Sequence, residues 1–229
     1  MRLTRIDSGH RALPALTHGV VTHLAKTAAS TTTPVLLVHG LGGSTSGWIA
    51  LVGALSAMGV TVATVSYQPF GSSVERLAQR LADKVADLLA ATGADKVHLI
   101  GHSLGGVLIA QALADGLLAE QVDTIITIAT PFGGSPWAQL IPLGAIIRAL
   151  RSGSPVLRRL ALAPVPEGVQ WLAITAGSDR IVPGHRSMPA QTTVRTLSVR
   201  GVGHVGLRVR PQVVNSIVAA LPLHARAVA

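Results

Sequence analysis

One serine of this chain lies in a sequence context suited to nucleophilic chemistry. Gly101-His-Ser103-Leu-Gly105 follows an apolar run that begins at Lys96, and a helix-forming segment follows it. Strand, Gly-x-Ser-x-Gly and helix in this order predict a sharp turn that presents the serine hydroxyl. Glycine is expected at 101 and 105 because side chains there would collide with the neighbouring strand and helix. Ser103 is therefore the candidate nucleophile.

A serine hydroxyl needs a base that removes its proton and an acid that fixes the tautomer of that base. When the serine lies on a strand-to-helix turn, the acid and then the base follow it along the chain. The carboxylates downstream are Asp115, Glu120, Asp123, Glu167 and Asp179. The first lies on the helix after the turn, and the next three precede predicted strands. Asp179 alone follows a strand, where the sites of α/β sheets form, and it is the predicted acid.

Three histidines follow Asp179 and are candidates for the base. His185 lies in the same loop as Asp179 and is expected to be a surface residue. His224 lies in the C-terminal tail. His204 lies in a glycine-rich loop, residues 201–206, directly after the apolar run at 193–199. This position is again the carboxyl end of a predicted strand, so His204 is the predicted base.

The oxyanion that develops on an attacked carbonyl needs hydrogen-bond donors. One predicted donor is the backbone N–H of Leu104, the residue after the nucleophile. The second is the backbone N–H of Leu41, in the loop Val38-His-Gly-Leu-Gly-Gly43 that follows an earlier apolar run. His39 and His102 adjoin glycines of these two motifs and are expected to pack or hydrogen-bond locally rather than to transfer protons.

The elements that must position these residues alternate along the chain. Apolar, β-branched runs cover residues 34–38, 60–66, 96–100, 122–129, 170–175 and 193–199. Their nearly continuous hydrophobicity is typical of strands buried on both faces of a parallel sheet. Helical patterns lie between them, the clearest beginning at a predicted capping box of Ser72 and Glu75. The alternation predicts a doubly wound α/β fold in a single domain over residues 1–229.

Two segments interrupt this alternation. Residues 1–33 are polar and irregular and are expected to form an N-terminal extension. Residues 131–168 are rich in leucine, isoleucine and arginine. They form either one or two core-packing helices or a cap or lid whose apolar face covers a cleft. Trp137, Leu140 and Ile141 of this segment are the candidate substrate-binding residues.

Composition excludes several classes of protein. A hydrophobic content of 48% with 13% charged residues is typical of a packed globule. Apolar runs are too short for a membrane span, so no integral membrane segment is expected. The absence of cysteine excludes a thiol nucleophile, and the histidine spacing matches no zinc motif, so no metal is predicted. No signal peptide is evident near the N-terminus, which makes a cytoplasmic location the default expectation.

The net charge of +9 lies in one part of the chain. Residues 141–229 hold eleven arginines and only two acidic residues, Glu167 and Asp179. These arginines are either solvated surface residues or attract an anionic interface such as lipid head groups. Binding of nucleic acid is not expected, because lysines and aromatic residues are scarce and no basic helix is present.

Together the motifs resemble those of bacterial α/β-hydrolase lipases and esterases, most closely the small lipases typified by the secreted lipase of Bacillus. The most specific block is Gly201-Val-Gly-His-Val-Gly-Leu207 with the Gln212-Val-Val-Asn-Ser216 that follows it. The resemblance implies a mainly parallel, six-stranded sheet with helices on both faces, hydrolysis of carboxylic esters including triacylglycerols, and no cofactor. It also implies that the triad of the family corresponds to Ser103, Asp179 and His204.

Three functions are compatible with these observations. The leading hypothesis is a serine hydrolase, a lipase or esterase, that cleaves acyl esters through an acyl-enzyme. The alternative is an acyltransferase or perhydrolase that uses the same triad, and a non-catalytic binding protein of the same fold is the third. The apolar segment at 131–168 favours acyl chains of medium or greater length over acetate.

Overall fold

Six strands form the centre of the fold. They are β1 (Val35–Val38), β2 (Val62–Val65), β3 (Val97–His102), β4 (Val122–Ile128), β5 (Gln170–Ala176) and β6 (Arg195–Val199). The structure is a computed structural model that describes residues 32–118, 120–142 and 144–223. The strand order across the sheet is β2-β1-β3-β4-β5-β6, and every neighbouring pair runs parallel.

Helices lie between the strands. They are α1 (Ile49–Ala57), α2 (Val74–Thr92), α3 (Leu104–Ala114), α4 (Pro136–Leu140), α5 (Ala145–Ala149), α6 (Pro155–Leu162) and α7 (Pro211–Ala220). Short 3-10 helices cover Thr45–Trp48, Gly184–Arg186 and Gly206–Val209. Apolar residues of α2 to α6 form one core on one face of the sheet, and those of α1 and α7 form a second core. The predicted α/β fold with helices on both faces is confirmed.

The side chains of β1 explain why its sequence does not alternate between apolar and polar residues. Leu36 and Val38 belong to the first core, whereas Val35 and Leu37 belong to the second. Successive side chains of a strand point to opposite faces, so a strand covered on both faces must be apolar at every position. All four residues of β1 are buried.

The start of α2 differs from the sequence prediction by one residue. Ser73, not Ser72, is the N-cap: its backbone is extended, and its hydroxyl accepts a hydrogen bond from the amide of Arg76 at 3.2 Å. The predicted capping box of Ser72 and Glu75 is therefore wrong. Glu75 still lies in the first turn, where the interaction of its negative charge with the helix dipole stabilises the helix.

The segment at 131–168 contributes to the first core through α5 and α6. Ile146, Ile147, Leu157 and Leu160 are buried there beside residues of α2 and α3. The role of residues 131–168 as a cap or lid stays a prediction. Residues 1–31 of the predicted N-terminal extension lie outside the described residues, as does His224. Of the helices in the described ranges, none has both the length and the hydrophobicity to cross a membrane.

Candidate active site

The turn between β3 and α3 holds Ser103 in an unusual backbone conformation. Its φ is 54° and its ψ is −120°, values rarely adopted by a residue with a side chain. The amide of Ser103 donates a hydrogen bond to the carbonyl oxygen of Ile128 at 2.8 Å, which ties the turn to the end of β4. Strained conformations of this kind cluster at functional sites, where the surrounding structure enforces them.

Two glycines allow α3 to lie directly against the strands. A Cβ atom on Gly101 would lie 2.6 Å from the amide nitrogen of Gly106, and one on Gly105 would lie 2.3 Å from the carbonyl oxygen of Val38. Both distances are far below a van der Waals contact, and both obstructing atoms belong to backbone that cannot rotate away. The Gly-x-Ser-x-Gly spacing is therefore a packing requirement of this turn.

We expect the substitution Gly105→Ala to lower the free energy of unfolding by about 1 to 3 kcal/mol, because α3 must move away from β1 to accommodate the methyl group. Gly53→Ala is the matched control, since Gly53 is exposed on α1 and a Cβ there meets nothing within 4 Å. That change should leave stability equal or raise it by roughly 0.5 to 1 kcal/mol. Equal stabilities of the two variants in urea unfolding would contradict the role of Gly105.

Asp179 and His204 meet across the loops that follow β5 and β6. His204 Nδ1 lies 2.6 Å from Asp179 Oδ2, and Asp179 Oδ1 accepts hydrogen bonds from the amides of Ile181 and Val182, both at 2.8 Å. Both side chains are buried. An ionised carboxylate only accepts hydrogen bonds, so Nδ1 of His204 carries the proton and Nε2 is left with a free lone pair. This is the tautomer that a general base needs.

The loop after β1 brings a second set of backbone amides to the serine. The amide of Gly43 donates to the carbonyl oxygen of Gly40 at 3.0 Å, which closes a turn around Leu41 and Gly42. Leu104 is the first residue of α3, so its N–H has no acceptor within the helix. Among the described residues neither Leu41 nor Leu104 has a hydrogen-bond partner for its amide. Both predicted oxyanion donors are therefore available.

His39 and His102 hold these loops together. The ring of His39 donates from Nδ1 to the carbonyl oxygen of Gly40 at 2.8 Å and stacks on Tyr67, with 4.3 Å between ring centroids. The Tyr67 hydroxyl donates to the carbonyl oxygen of His39 at 2.5 Å. His102 donates from Nε2 to the carbonyl oxygen of His204 at 3.0 Å, and this bond fastens the base-bearing loop to the serine turn.

A cavity of about 370 Å³ opens above Ser103. Residues that line the cavity beside Ser103 include Leu41, Trp137, Ile141, Ile147, Leu150, Ile181, Val205, His204 and Arg208. Most of these side chains are apolar, and Ser103 and His204 are among the few polar groups. A hydroxyl, an imidazole and unpaired amides thus converge in a largely apolar cleft, which is a suitable arrangement for acyl transfer.

Comparisons with known proteins agree with this architecture. A family model described as the alpha/beta hydrolase fold matches residues 33–171, more than half of the chain. The chain belongs to the α/β-hydrolase fold family. It is 35% identical over 125 residues to triacylglycerol lipases of Pseudarthrobacter phenanthrenivorans and Burkholderia plantarii; each match covers 51% of this chain.

The match covers 39% of the Pseudarthrobacter lipase and 34% of the Burkholderia lipase, so the chain spans well under half the length of these curated relatives. Among solved structures, the mature form of a Bacillus licheniformis lipase superposes with a TM-score of 0.73 at 17% identity, covering 85% of this chain and 93% of that one. At 17% identity, this similarity shows that the two proteins share the α/β-hydrolase fold and nothing more specific.

The structure brings together most of the site residues that the sequence of this α/β hydrolase predicts. Ser103, His204, Leu41, Trp137 and Ile141 all line the cavity. Leu140 does not line it, and its side chain is 77% exposed. The reason is helical geometry: Ala138 of α4 is buried toward the cavity, and a residue two positions later lies about 200° around the helix axis.

The sequence does not identify Arg208, the charged side chain among the described lining residues, as part of the site. Arg208 is one of the eleven C-terminal arginines that the sequence predicts either as solvated surface residues or as contacts for an anionic interface, yet it is buried and lines the cavity. A signal was available, because Arg208 lies only four residues after the predicted base, in the short helix that follows its loop. Of the described residues, no group of three or more histidine, aspartate or glutamate side chains could hold a metal ion.

Burial lowers the pKa of His102 to about 3 from its ordinary value of 6.5, and burial also lowers the pKa values of His39 and His98. Between pH 6.5 and 3 the unfolded α/β hydrolase therefore binds a proton at position 102 that the folded protein does not. The free energy of unfolding should fall in this window as pH decreases, by roughly 1 kcal/mol per pH unit from His102.

His102→Gln tests this linkage because glutamine can still donate to the His204 carbonyl but does not titrate. We expect urea unfolding of this variant to lose stability less steeply between pH 6 and 4 than the unmodified protein, by about one proton. The control is His185→Gln, since His185 is exposed and should leave the slope unchanged. Identical slopes for all three proteins would refute the assignment of this pH dependence to His102.

Proposed function

We propose that this chain is a serine hydrolase that cleaves carboxylic esters. The observation that carries the proposal is the 2.6 Å hydrogen bond between His204 Nδ1 and Asp179 Oδ2 beside a cavity that both Ser103 and His204 line. The similarity to triacylglycerol lipases, over about half of the chain, supports an ester as the substrate. The strained backbone of Ser103 supports a catalytic use of its hydroxyl.

The proposed reaction has two halves. In the first, His204 Nε2 takes the proton of the Ser103 hydroxyl as Oγ attacks the ester carbonyl, and Asp179 stabilises the resulting imidazolium. The amides of Leu41 and Leu104 bind the tetrahedral oxyanion, and His204 then protonates the departing alcohol. In the second, water deprotonated by His204 attacks the acyl-enzyme and releases the carboxylic acid and free Ser103.

The cavity supports acyl chains of medium or greater length. Trp137, Ile141, Ile147 and Leu150 supply apolar surface near Ser103. Each methylene buried against such a wall contributes about 0.8 kcal/mol to binding, so longer chains gain until the cavity is filled. Trp137→Ala should move the preferred chain length, whereas Leu140→Ala, one turn away and outside the cavity, should not.

Exposed apolar side chains around the cavity support contact with a lipid interface. Trp137, Ile141, Ile181 and Val205 line the cavity and remain 53%, 40%, 38% and 59% exposed. Arg151 donates to the carbonyl oxygens of Ala138 and Ile141, at 2.9 and 2.8 Å, and so anchors the C-terminal end of α4. Arg151 thus has an internal role, whereas the exposed side chain of Arg148 can face anionic head groups; Arg158 is also exposed, but it already donates to the carbonyl oxygen of Gly153 at 2.7 Å.

A fluorophosphonate probe tests the serine-hydrolase proposal directly. The unmodified protein should be labelled, and mass spectrometry should place the adduct on the peptide that contains Ser103. Rates on p-nitrophenyl esters of increasing chain length should rise beyond acetate. A second series across the solubility limit of one ester separates a lipase, whose rate increases at the limit, from an esterase. Absence of both labelling and hydrolysis would refute the proposal.

A further inference from the structure

Arg208 combines burial with missing hydrogen-bond partners. It lies in the 3-10 helix Gly206–Val209, is 8% exposed, and lines the cavity together with Ser103 and His204. In the part of the chain that the structure describes, its Nε and Nη1 atoms have no hydrogen-bond partner and it forms no ion pair. A guanidinium is always charged near neutral pH and carries five N–H donors, so this burial needs compensation.

Two neighbouring residues, Gly47 and Trp48, accommodate the guanidinium in this position. A Cβ atom on Gly47 would lie 2.0 Å from Arg208 Nη1 and 2.6 Å from Cζ, so a side chain at position 47 would force the guanidinium out of its present position. The ring of Trp48 lies beneath, with Cζ of Arg208 5.6 Å from the ring centroid. A cation–π contact offsets part of the cost of desolvation but satisfies none of the N–H donors.

The protein itself provides no counter-charge in the cavity. None of the lining residues in the described ranges is acidic. Asp179, the carboxylate that pairs with His204, is not available as a counter-charge for Arg208. Its Oδ1 already accepts from two backbone amides and its Oδ2 from His204. An anion that compensates Arg208 must therefore come from outside the described part of the chain, and the cavity is the route by which a ligand reaches it.

We propose that Arg208 is an anion-binding residue of this cavity and that the preferred ester carries a carboxylate or phosphate group close to the scissile bond. This proposal rests on the proposed ester hydrolysis and specifies its substrate class. Two oxygens of such a group match the planar donor arrangement of a guanidinium, as in other bidentate arginine pairs. Recognition of the charge would add specificity that the apolar walls cannot provide.

The test compares pairs of esters that differ only in charge. In one pair, a monoacylglycerol and its glycerophosphate analogue place the charge on the alcohol side. In the other, p-nitrophenyl esters of butyric acid and of succinic acid place it on the acyl side, close to the scissile bond. The unmodified enzyme should favour the anionic member of one pair, which identifies the side. Arg208→Met should reduce that anionic-to-neutral ratio of kcat/KM by about 10- to 100-fold.

Arg210→Met is the matched control. It removes the same charge two residues away, where the side chain is exposed and, among the residues that the structure describes, donates only to the carbonyl oxygen of Gly201 at 3.2 Å. It should leave the ratio unchanged. Arg208→Lys keeps the charge without the planar donors and should recover part of the ratio. An equal loss on neutral and anionic esters with Arg208→Met would overturn the proposal and assign Arg208 a structural or general electrostatic role.

A binding measurement separates this proposal from the proposed function. Inorganic phosphate is titrated into the full chain while the Nε–H signals of ¹⁵N-labelled arginine are followed by NMR. One arginine signal, absent in Arg208→Lys, should shift with saturation, while Arg210→Met should retain it. A chain that binds phosphate at Arg208 but is not labelled by fluorophosphonate would refute ester hydrolysis alone. A chain that hydrolyses neutral esters but shows no such shift and no anionic preference would refute the anion site alone.

Discussion

Replacing Ser103 with alanine should reduce kcat/KM for ester hydrolysis by roughly 10⁵- to 10⁶-fold and abolish labelling by fluorophosphonate. The reason is that Oγ forms the covalent bond of the acyl-enzyme, and no other hydroxyl in the turn can replace it. Activity that remains would come from the oxyanion donors and from binding alone. The substitution removes one oxygen and leaves a Cβ, so the turn with φ of 54° is preserved.

Ser216→Ala is a suitable control for this variant. Ser216 lies on α7, and its hydroxyl donates to the carbonyl oxygen of Gln212 at 2.8 Å on the surface. Removing that hydroxyl should change neither the hydrolysis rate nor the labelling. Thermal unfolding of both variants checks that the fold is intact. If Ser103→Ala retained more than about one hundredth of the activity, a nucleophile other than Ser103 would have to be sought.

Asp179→Asn should lower kcat by about 10⁴-fold while leaving the fold in place. Asparagine can still accept hydrogen bonds from the amides of Ile181 and Val182 through its carbonyl oxygen. It then presents an NH₂ group to His204 Nδ1, 2.6 Å from the present Oδ2 position. Two donors cannot face each other, so His204 must adopt the tautomer with the proton on Nε2, and it loses its capacity as a base.

The control for this substitution is Asp115→Asn. Asp115 follows α3, accepts a hydrogen bond from the side chain of Gln111 at 2.8 Å and pairs with Arg159 away from the cavity. Its neutralisation should change the rate by less than two-fold. The double variant Ser103→Ala, Asp179→Asn should be no less active than Ser103→Ala alone, since the acid acts only through the nucleophile. Additive losses would show that Asp179 contributes by another route.

Much of the fold follows from the local pattern of the chain. A strand covered on both faces has to be apolar at each position, which is why β1 is visible in the sequence as Val35-Leu-Leu-Val38. The elimination of candidate acids uses the same logic, because all strands of a parallel sheet end at one edge. Asp179 follows β5 and His204 follows β6, two neighbouring strands, so their loops must meet.

Finer features could not be predicted from one sequence. The choice between Ser72 and Ser73 as the N-cap depends on the backbone angles at which the chain enters α2. The exposure of Leu140 depends on how the five-residue helix α4 is rotated against the core. A helix this short has too little amphipathic pattern to define its buried face, so neighbouring elements decide it.

The sequence by itself determined the α/β architecture, the strained turn at Ser103 and the positions of Asp179 and His204 after their strands. These features depend on short-range patterns and on the single edge shared by parallel strands. Only the tertiary structure decided that His102 binds the carbonyl of His204 and that Arg208 is buried against Gly47 and over the ring of Trp48. Those contacts join residues far apart in the chain, and no local pattern records which distant surfaces will meet.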